Sequence, residues 1–376
     1  MSRGIVAFGE DWGGLPSSTQ HIVGRLAHTR DVVWVNSIGM RRPRLDRRDL
    51  ARALAKLNRS ARTSRRPSDA PVAQPDRLTV VNPAAVSWPG NHFARAINRV
   101  VLGRQIRGAM EARGLRRPVL WTSLPTAVSL VGELGEGPVV YYCCDDFGAL
   151  PGVDHAPVLE LERELIGRAD LILAASDTLA ARFPASRTAL APHGVDFERF
   201  TAPAPRAHDL PSDGPIAGFY GSIAEWIDVE LIAYCAEHLM DWRFVLIGEI
   251  KINVDRLRAL PNVCLLGARP HAELPSYVQH WDVSLLPFLD TPQIRACNPL
   301  KLREYLAAGA PIAAIDFPAL TEYRDLVEVA RDSEGFLRAI CRAAADKRPR
   351  ADRRARVAEE SWDARARAIG ELIDAL

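Results

Sequence analysis

The sequence predicts an α/β protein built from two tandem Rossmann-like domains, and three observations support this class. The chain has 376 residues, which is long for one hydrophobic core and suits two domains of ordinary size. Short β-rich runs alternate with longer amphipathic stretches in both halves, as in parallel sheets with helices on both faces. A stretch punctuated by proline and glycine, residues 201–215, separates the halves.

The predicted strands are short runs rich in branched and aromatic residues. Those of the first half are Gly4–Phe8, Asp31–Asn36, Leu78–Asn82, Pro118–Thr122, Val139–Cys143 and Leu171–Ala174. Those of the second half are Ile216–Tyr220, Arg243–Ile247, Val263–Leu266, Val283–Leu286 and Pro311–Ile315. The predicted domains are therefore residues 1–200 and 216–359, joined by the linker 201–215. Residues 360–376 have apolar side chains at helical spacing and predict a final helix that covers another surface.

The composition is that of a globular protein, with 48% hydrophobic and 25% charged residues. No apolar run is long enough to cross a bilayer, and the N-terminus enters a strand without a signal-peptide core, so we expect a cytoplasmic protein. The six cysteines show no CxxC spacing, which favours buried reduced thiols over zinc ligands or disulfides.

Charge is distributed unevenly along the chain although the net charge is only +2. Residues before 191 hold 26 basic and 18 acidic side chains, whereas those after it hold 22 and 28. Residues 41–67 and 95–117 are the most arginine-rich stretches. No nucleic-acid-binding module accompanies them, so we expect no nucleic-acid partner. Arginines beside apolar residues favour reversible binding to the anionic inner face of a membrane, with a solvated surface as the alternative.

Residues 192–200, with the sequence PHGVDFERF, contain a glycine suited to a tight turn and an aspartate suited to capping a helix. They resemble the segment that closes the N-terminal domain of nucleotide-sugar glycosyltransferases with the GT-B fold, of the bacterial polysaccharide or teichuronic-acid type (group 1-like). The resemblance extends over nearly the whole chain. It implies two Rossmann-like domains with a cleft between them and a C-terminal helix that crosses back to the N-terminal domain.

Two further segments resemble the donor-binding loops of that family. Residues 216–224 look like the first strand and phosphate-facing loop, where Gly221 would allow close approach of a diphosphate and Ser222 would lie at a helix N-terminus. Residues 260–277 resemble the loop against the nucleobase. The resemblance assigns donor-binding roles there to Gly267, Ala268, Arg269 and Leu274.

The most diagnostic segment is residues 297–314, which resembles the donor-binding helix "P.K..EYLA.G.PV.A" of the family. Glu304 has the position of the glutamate that binds the ribose hydroxyls, and Lys301, one turn earlier, would face the diphosphate. The preceding Asn298, Pro299 and Leu300 complete the predicted donor site. A solvated lysine–glutamate pair is the alternative.

The segment departs from the family at one position that affects the chemistry. Many retaining members have a second glutamate eight residues before Glu304, where this chain has Ala296. The family's usual arginine and lysine after the first donor-domain strand are also missing. Lys301 is therefore the expected main cation on the leaving diphosphate, helped by Arg295 or Arg303. No Asp-x-Asp occurs, so we expect neither a metal nor another cofactor.

The first half supplies the candidates for acceptor chemistry. Asp145 and Asp146 follow a predicted strand at the sheet edge where ligands bind, and either is a candidate base for an acceptor hydroxyl, with helix capping as the alternative role. Glu162 matches a family position and also suits a solvated helix face. The loop 11–21 resembles a cleft-facing loop of the family. It predicts donor contacts at Gly13 and Gly14, and a cleft position for His21, as for His193 of the first segment.

These features predict a metal-independent glycosyltransferase that uses a nucleoside-diphosphate sugar. The expected acceptor is a lipid-linked saccharide or polysaccharide precursor. Three alternatives remain at this point: a transferase acting on a soluble natural product, a nucleotide-sugar epimerase of the same fold, and a nucleotide-sugar sensor without turnover.

Overall fold

A computed structural model describes residues 3–14, 17–40, 74–86 and 88–376. The arginine-rich segment 41–67 lies outside these residues. The chain divides into two compact units, which are unit 1 (residues 1–192 and 365–376) and unit 2 (residues 193–364).

Unit 1 contains a seven-stranded parallel sheet with the order β3-β2-β1-β4-β5-β6-β7. Its strands are β1 (Ile5–Phe8), β2 (Val32–Val35), β3 (Leu78–Val81), β4 (Val119–Thr122), β5 (Val139–Cys143), β6 (Leu171–Ala174) and β7 (Thr188–Leu190). Its helices are α1 (Ser18–Leu26), α2 (His92–Ala112), α3 (His155–Arg168) and α4 (Asp177–Ala180), with 3-10 turns at Pro125–Leu130 and Ala185–Arg187. The inner strands are wholly buried because helices cover both faces of a parallel sheet.

Unit 2 contains a six-stranded parallel sheet with the order β10-β9-β8-β11-β12-β13. Its strands are β8 (Ile216–Tyr220), β9 (Arg243–Ile247), β10 (Val263–Gly267), β11 (Val283–Leu286), β12 (Ile312–Ile315) and β13 (Val327–Ala330). Its helices are α5 (Phe197–Thr201), α6 (Val229–His238), α7 (Asp255–Arg258), α8 (Pro275–Val278), α9 (Pro292–Ala296), α10 (Leu300–Ala308), α11 (Ser333–Ala345) and α12 (Arg350–Val357), with 3-10 turns at His271–Glu273, Pro318–Tyr323 and Ala358–Glu360. The last helix, α13 (Trp362–Asp374), begins in unit 2, and its residues from Arg365 onward belong to unit 1.

The strand order reverses between β1 and β4 in unit 1 and between β8 and β11 in unit 2. In doubly wound sheets such a reversal opens a crevice at the carboxyl ends of the strands, and ligands bind there. The predicted fold class is confirmed, and every predicted strand is present. The two strands that the sequence did not reveal, β7 and β13, are short and partly exposed at a sheet edge, where the hydrophobic signal is weak.

The boundary between the units differs from the predicted one. Residues 193–200 were expected in the first domain, but Val195 pairs with Ser361 and Phe200 is wholly buried in the core of unit 2. The expected linker 201–215 also belongs to unit 2. Ala204 N donates to Gln279 Oε1 at 3.0 Å, and Ala207 N donates to Ser276 O at 3.0 Å. Proline and glycine therefore mark a segment that crosses the surface of unit 2.

The final helix is held in unit 1 by an ion pair. Arg30 is buried and donates to both carboxylate oxygens of Asp374 at 2.9 and 2.8 Å, and to Gly370 O at 3.2 Å.

Two further predictions concern the cysteines of the chain and the length of its helices. None of the six cysteines, all of which are described, forms a disulfide. The expectation of burial is confirmed for Cys143 and Cys235 and wrong for the exposed Cys341, while the other three thiols are partly buried. No helix in the described ranges is both long and apolar enough to span a bilayer.

Candidate functional site

In unit 1 the loop after β1 is held by hydrogen bonds from its backbone amides. Gly13 has φ 75°, a left-handed conformation that favours glycine, and its N–H donates to Gln20 Oε1 at 3.1 Å. Gly14 N donates to Asp11 O at 3.0 Å. Both amides thus have partners within the protein. His21, in the first turn of α1, has Arg25 Nη1 at 3.4 Å from its Nδ1.

The two aspartates that follow β5 have different surroundings. Asp146 Oδ1 accepts from Arg182 Nη1 at 2.7 Å and from Gly148 N at 2.9 Å, so it forms an ion pair and closes a turn. No described side chain forms a hydrogen bond or ion pair with the Asp145 carboxylate. Burial, together with the charges of Glu10 and Asp146, raises the pKa of Asp145 to about 6. Of the two candidates, Asp145 therefore has the properties of a base.

Glu162 lies beneath this edge and is not on a solvated helix face, because it is only 2% exposed. Its Oε1 accepts from Tyr141 Oη at 2.7 Å, and Arg182 Nη2 is 3.6 Å from Oε2. Arg182 thus joins Glu162 to Asp146. Burial raises the pKa of Glu162, while the bond from Tyr141 and the charge of Arg182 oppose that shift. This network explains why Asp146 is fixed while Asp145 is not.

In unit 2 the end of β8 lies against helix α10. Gly221 has φ 133°, and a Cβ at this position would lie 2.2 Å from Lys301 Cε. A Cβ at Gly248, at the end of β9, would lie 1.9 Å from Gly221 O. Only glycine allows these close approaches. The lysine side chain therefore lies directly on the backbone that follows the first strand of unit 2.

The loop after Gly221 corrects one expectation. Ser222 and Ile223 were predicted to begin a helix, but α6 begins only at Val229, where Asp228 caps Leu231 N at 2.9 Å. Ile223 N instead donates to Glu249 O at 2.9 Å, and this bond extends the sheet edge. Lys301 itself lies in the first turn of α10, whose N-cap residue Pro299 provides no side-chain hydrogen bond to the first amides.

Two arginines expected to help Lys301 are engaged elsewhere. Arg303 is buried and donates to Glu360 at 2.6 Å and to Asn298 Oδ1 at 2.7 Å. Arg295 is exposed and forms a bidentate pair with Asp290 at 2.6 Å. Asn298 also accepts from His193 N at 3.3 Å, so it links the start of unit 2 to α10.

Lys301 forms no ion pair with any carboxylate in the described part of the chain. Its Nζ lies 5.7 Å from the centre of the Phe219 ring. Burial lowers the pKa of Lys301, and the nearby charge of Glu304 partly opposes this shift. Lys301 is partly buried, and a partly desolvated ammonium without an ion pair gains from an arriving anion.

Glu304 is 8% exposed and lies in a chain of polar groups that the sequence did not reveal. Tyr220 Oη donates to Oε2 at 2.8 Å, and His271 Nε2 lies 2.7 Å from Oε1. Arg199 Nη1 lies 3.1 Å from His271 Nδ1. A guanidinium can only donate, so Nδ1 accepts and the Nε2 proton is directed to Glu304. Burial raises the pKa of Glu304, but His271, Tyr220 and Lys301 outweigh burial, and the net pKa is lowered.

The loop after β10 has mixed roles. Gly267 has φ 71° and its carbonyl accepts from Gly248 N at 2.9 Å, while Ala268 is exposed. The Arg269 side chain pairs with Asp209 at 2.8 Å and turns toward the segment 201–215. Leu274 is a core residue of unit 2. Backbone atoms of residues 267–269 therefore remain the groups suited to reading a base edge.

Within residues 3–14, 17–40, 74–86 and 88–376, no three His, Cys, Asp or Glu side chains come together in a way that could hold a metal ion. Metal independence stays a prediction about the reaction.

The two units have the architecture of a class, the two-domain GT-B glycosyltransferases, and comparison with known proteins agrees. A glycosyltransferase from Rickettsia africae ESF-5 matches with a TM-score of 0.68 at 11% identity, over 100% of this chain and 98% of that one. Anabaena Alr3699/HepE, solved in complex with UDP and glucose, matches with a TM-score of 0.68 at 12% identity over 100% of both chains. These similarities establish the fold.

Sequence comparison gives the family. Residues 214–346 match the Glycosyl transferases group 1 family. The "Putative teichuronic acid biosynthesis glycosyltransferase TuaH" of Bacillus subtilis (strain 168) is 31% identical over 228 residues, which are 55% of this chain and 57% of that protein. Residues 214–346 thus match the group 1 glycosyltransferase family, and the predicted resemblance to that family is confirmed.

The raised pKa of Asp145 predicts a pH-dependent stability. The Asp145 carboxyl binds its proton more tightly in the folded chain than in the unfolded chain, where its pKa is near 3.8. The protonated carboxyl therefore stabilises the fold at low pH, and this contribution is lost as pH rises through about 6. Asp145→Asn should therefore raise the free energy of unfolding at neutral pH by about 1–3 kcal/mol and change it little below about pH 4. Urea unfolding at both pH values measures this.

Asp146→Asn is the matched control, because it removes the ion pair with Arg182 and should destabilise the protein at neutral pH. An Asp145→Asn effect of the same size at both pH values would contradict the raised pKa.

Proposed function

We propose that the protein transfers a sugar from a nucleoside-diphosphate sugar to a saccharide acceptor without a metal ion. The observation that supports this best is the arrangement on α10, where a partly buried lysine without an ion pair lies against Gly221 and a buried carboxylate lies one turn further on. This arrangement falls within the group 1 domain.

Glu304 binds the ribose of the donor. Each of its oxygens accepts one hydrogen bond from the protein, from His271 or Tyr220, and a carboxylate oxygen has a second acceptor site. Two ribose hydroxyls can therefore bind without displacing a protein donor. His271 and Tyr220 position the carboxylate and keep it ionised, which strengthens hydrogen bonds from hydroxyl donors.

Lys301 and the first turn of α10 bind the diphosphate. The α10 N-terminus has no side-chain cap, so its first amides are available to an anion and the helix dipole favours negative charge. Gly221 lets the phosphates approach the backbone beside the lysine, and Asn298, Pro299 and Leu300 shape this turn. Charge on the leaving diphosphate grows in the transition state, so Lys301 contributes most there. This role replaces a divalent metal.

The remaining donor contacts are with the base and the sugar. The backbone of Gly267, Ala268 and Arg269 reads the nucleobase, and Leu274 supports that loop from the core. Ser222 follows Gly221 and lies beside the phosphates. In unit 1, the loop of Gly13 and Gly14 contacts the donor through its surface, since both amides have partners within the loop and α1.

Unit 1 supplies the acceptor side, and Asp145 is the base. The acceptor hydroxyl oxygen attacks the anomeric carbon, and the bond from that carbon to the diphosphate oxygen breaks. The diphosphate leaves with the bonding electron pair, and Asp145 takes the hydroxyl proton. A carboxylate with a pKa near 6 is ionised at neutral pH and is a stronger base than an ordinary one. His21 and His193 are the proposed acceptor contacts.

The proposed acceptor is a polysaccharide precursor carried on a lipid. Two observations support it, which are the name of the B. subtilis relative, a teichuronic acid biosynthesis protein, and the basic first half of the chain. A soluble natural product is the second candidate acceptor. Thermal stabilisation by a panel of uridine, guanosine and thymidine diphosphate sugars, followed by transfer assays, would identify the donor first.

Glu304→Ala should weaken binding of the matching nucleoside diphosphate by about ten- to a hundred-fold, because two hydrogen bonds to a charged acceptor are lost. Calorimetry measures the affinity. Wild type should bind the 2′-deoxy nucleotide more weakly than the parent nucleotide. The Glu304→Ala variant should bind the two nucleotides equally. Glu328→Ala, an exposed carboxylate on β13, is the control. Equal affinity of wild type and Glu304→Ala would remove the ribose role.

Lys301→Ala should lower kcat by about a hundred-fold or more and weaken nucleotide binding by about ten-fold or less, because the ammonium acts mainly on charge that develops in the transition state. Steady-state rates and calorimetry separate the two effects. Arg295→Ala, whose guanidinium pairs with Asp290 at the surface, should leave both unchanged. Equal losses in rate and binding would indicate ground-state attraction alone.

Asp145→Asn should abolish transfer and retain nucleotide binding, because the base acts on the acceptor and not on the donor. Asp146→Asn should retain transfer under conditions where it is folded. Transfer by Asp145→Asn at the wild-type rate would show that the base assignment is wrong and would favour a retaining mechanism that needs no such base.

A further inference from the structure

Helix α2 of unit 1 carries a row of apolar side chains on its exposed surface. Among the described residues, six of the eleven exposed large hydrophobic side chains fall between positions 86 and 101. On the helix, Phe93 is 83% exposed, Ile97 52% and Val100 53%, and Val101 lies beside them. Together with Trp88, which precedes the helix, these residues are called the α2 stripe.

The α2 stripe is separate from the face that holds the helix on unit 1. The buried residues of α2 recur every four positions, as Ala94, Asn98, Leu102, Ile106 and Met110. At 3.6 residues per turn, positions 93, 97, 100 and 101 lie on the opposite side. An ordinary surface helix has one apolar face, whereas α2 has two. Packing of unit 1 accounts for only one of them.

Backbone hydrogen bonds hold Trp88 beside the helix, from Trp88 N to Val86 O at 3.0 Å and from Asn91 N to Trp88 O at 3.1 Å. Asn98 Oδ1 accepts from Val86 N at 2.8 Å, and its Nδ2 donates to Val86 O at 2.9 Å. Asn91 then caps the helix by accepting from Ala94 N at 2.9 Å. These bonds fix Val86, Trp88 and Asn91 against the first turns of α2. The exposed tryptophan is thus part of an ordered surface.

The surroundings of the α2 stripe are basic. The helix contains four arginines and one acidic residue, Glu111. Arg104 lies in line with the stripe, is exposed, and forms no ion pair with a described residue. Just beyond the helix, Arg116 and Arg117 line a cavity of about 640 Å³ together with Arg3, and these three also have no ion pair among the described residues.

We propose that the α2 stripe docks unit 1 on an anionic lipid bilayer. Tryptophan, phenylalanine and aliphatic side chains enter the boundary between headgroups and acyl chains, and arginines bind anionic headgroups. Two arginines of the helix are paired, Arg95 with Glu164 and Arg99 with Glu133. Charge complementarity selects this occupant, because Arg104, in line with the stripe, forms no ion pair with a described residue and the chain has no acidic side chain between positions 88 and 104. The docking goes beyond sugar transfer and does not depend on it.

The two parts of the surface give binding with two separable properties. Attraction of the arginines to anionic lipid is screened by salt, so it sets the salt dependence and the lipid preference. Insertion of the apolar side chains is insensitive to salt and adds affinity in proportion to the buried apolar area. Neither part alone gives firm binding.

The test is co-sedimentation of the full chain with vesicles of phosphatidylcholine alone or mixed with phosphatidylglycerol, at low and high salt. Wild type should bind the mixed vesicles at low salt. The double variant Phe93→Ser, Ile97→Ser should bind about ten-fold or more weakly, because two apolar anchors are removed. Arg104→Glu should weaken binding only at low salt. Leu190→Ser, an exposed leucine on β7 of unit 1, is the matched control and should bind as wild type does.

The melting temperature and nucleoside diphosphate binding of each variant show that it is folded, and neither readout involves the stripe. Wild-type binding by the double variant would overturn the proposal, as would failure of wild type to sediment at low salt. Conversion of a dimer to a monomer by the double variant, with no vesicle binding, would assign the stripe to a second copy of the chain and would also overturn it. Loss of transfer with retained vesicle binding concerns only the proposed function.

Discussion

The close approach of helix α10 to the end of strand β8 is the constraint on which unit 2 depends. Gly221 leaves room for the Lys301 side chain, and Gly248 leaves room for the Gly221 carbonyl. Within the same strand, a Cβ at Gly218 would lie 1.7 Å from Trp281 Cε3. Glycines along β8 and β9 thus bring α10 and its polar groups onto the sheet edge. A side chain at position 221 would displace the flexible end of Lys301 from the backbone, whereas one at position 218 or 248 would meet the Trp281 ring or the Gly221 backbone.

Asp145 in unit 1 and Lys301 in unit 2 both lie in surroundings that oppose their charge. Burial raises the pKa of Asp145 and lowers the pKa of Lys301. Neighbouring groups of the same kind are neutralised by partners, Asp146 by Arg182 and Arg303 by Glu360. The two unpaired groups cost stability, and such costs are characteristic of sites that gain their partner from a ligand. The contrast between paired and unpaired neighbours is what separates structural from functional candidates here.

Unit 1 also combines two surfaces of different character. Its sheet edge presents carboxylates after β1 and β5, whereas helix α2 presents apolar side chains and arginines. A lipid-linked acceptor would present its saccharide to the first surface, and the membrane that holds its lipid would face the second. The net positive charge of the first half of the chain is therefore concentrated in part on a helix with a defined exposed face.

The sequence alone determined the sheet architecture, because buried parallel strands are continuous apolar runs that are visible without a structure. The resemblance of residues 297–314 to the donor-binding helix of the family also located α10, with Lys301 and Glu304 one helical turn apart. It did not locate His271, Arg199 and Tyr220, because these residues come from three distant segments and meet only when the sheet forms. A histidine between a proline and an alanine gives no local signal of a carboxylate partner 33 residues away.

Tertiary structure likewise decided between residues that the sequence treats as equal. Asp145 and Asp146 are adjacent and chemically identical, but Arg182 and Gly148 N bind only Asp146, whereas burial and the charge of Glu10 raise the pKa of Asp145. Lys301 and Arg303 are both cations on one helix, but Glu360 neutralises only the arginine. The domain boundary was misplaced because the proline-rich segment 201–215 packs on unit 2. Local pattern specifies elements, whereas pairing, burial and charge depend on contacts between residues far apart in the chain.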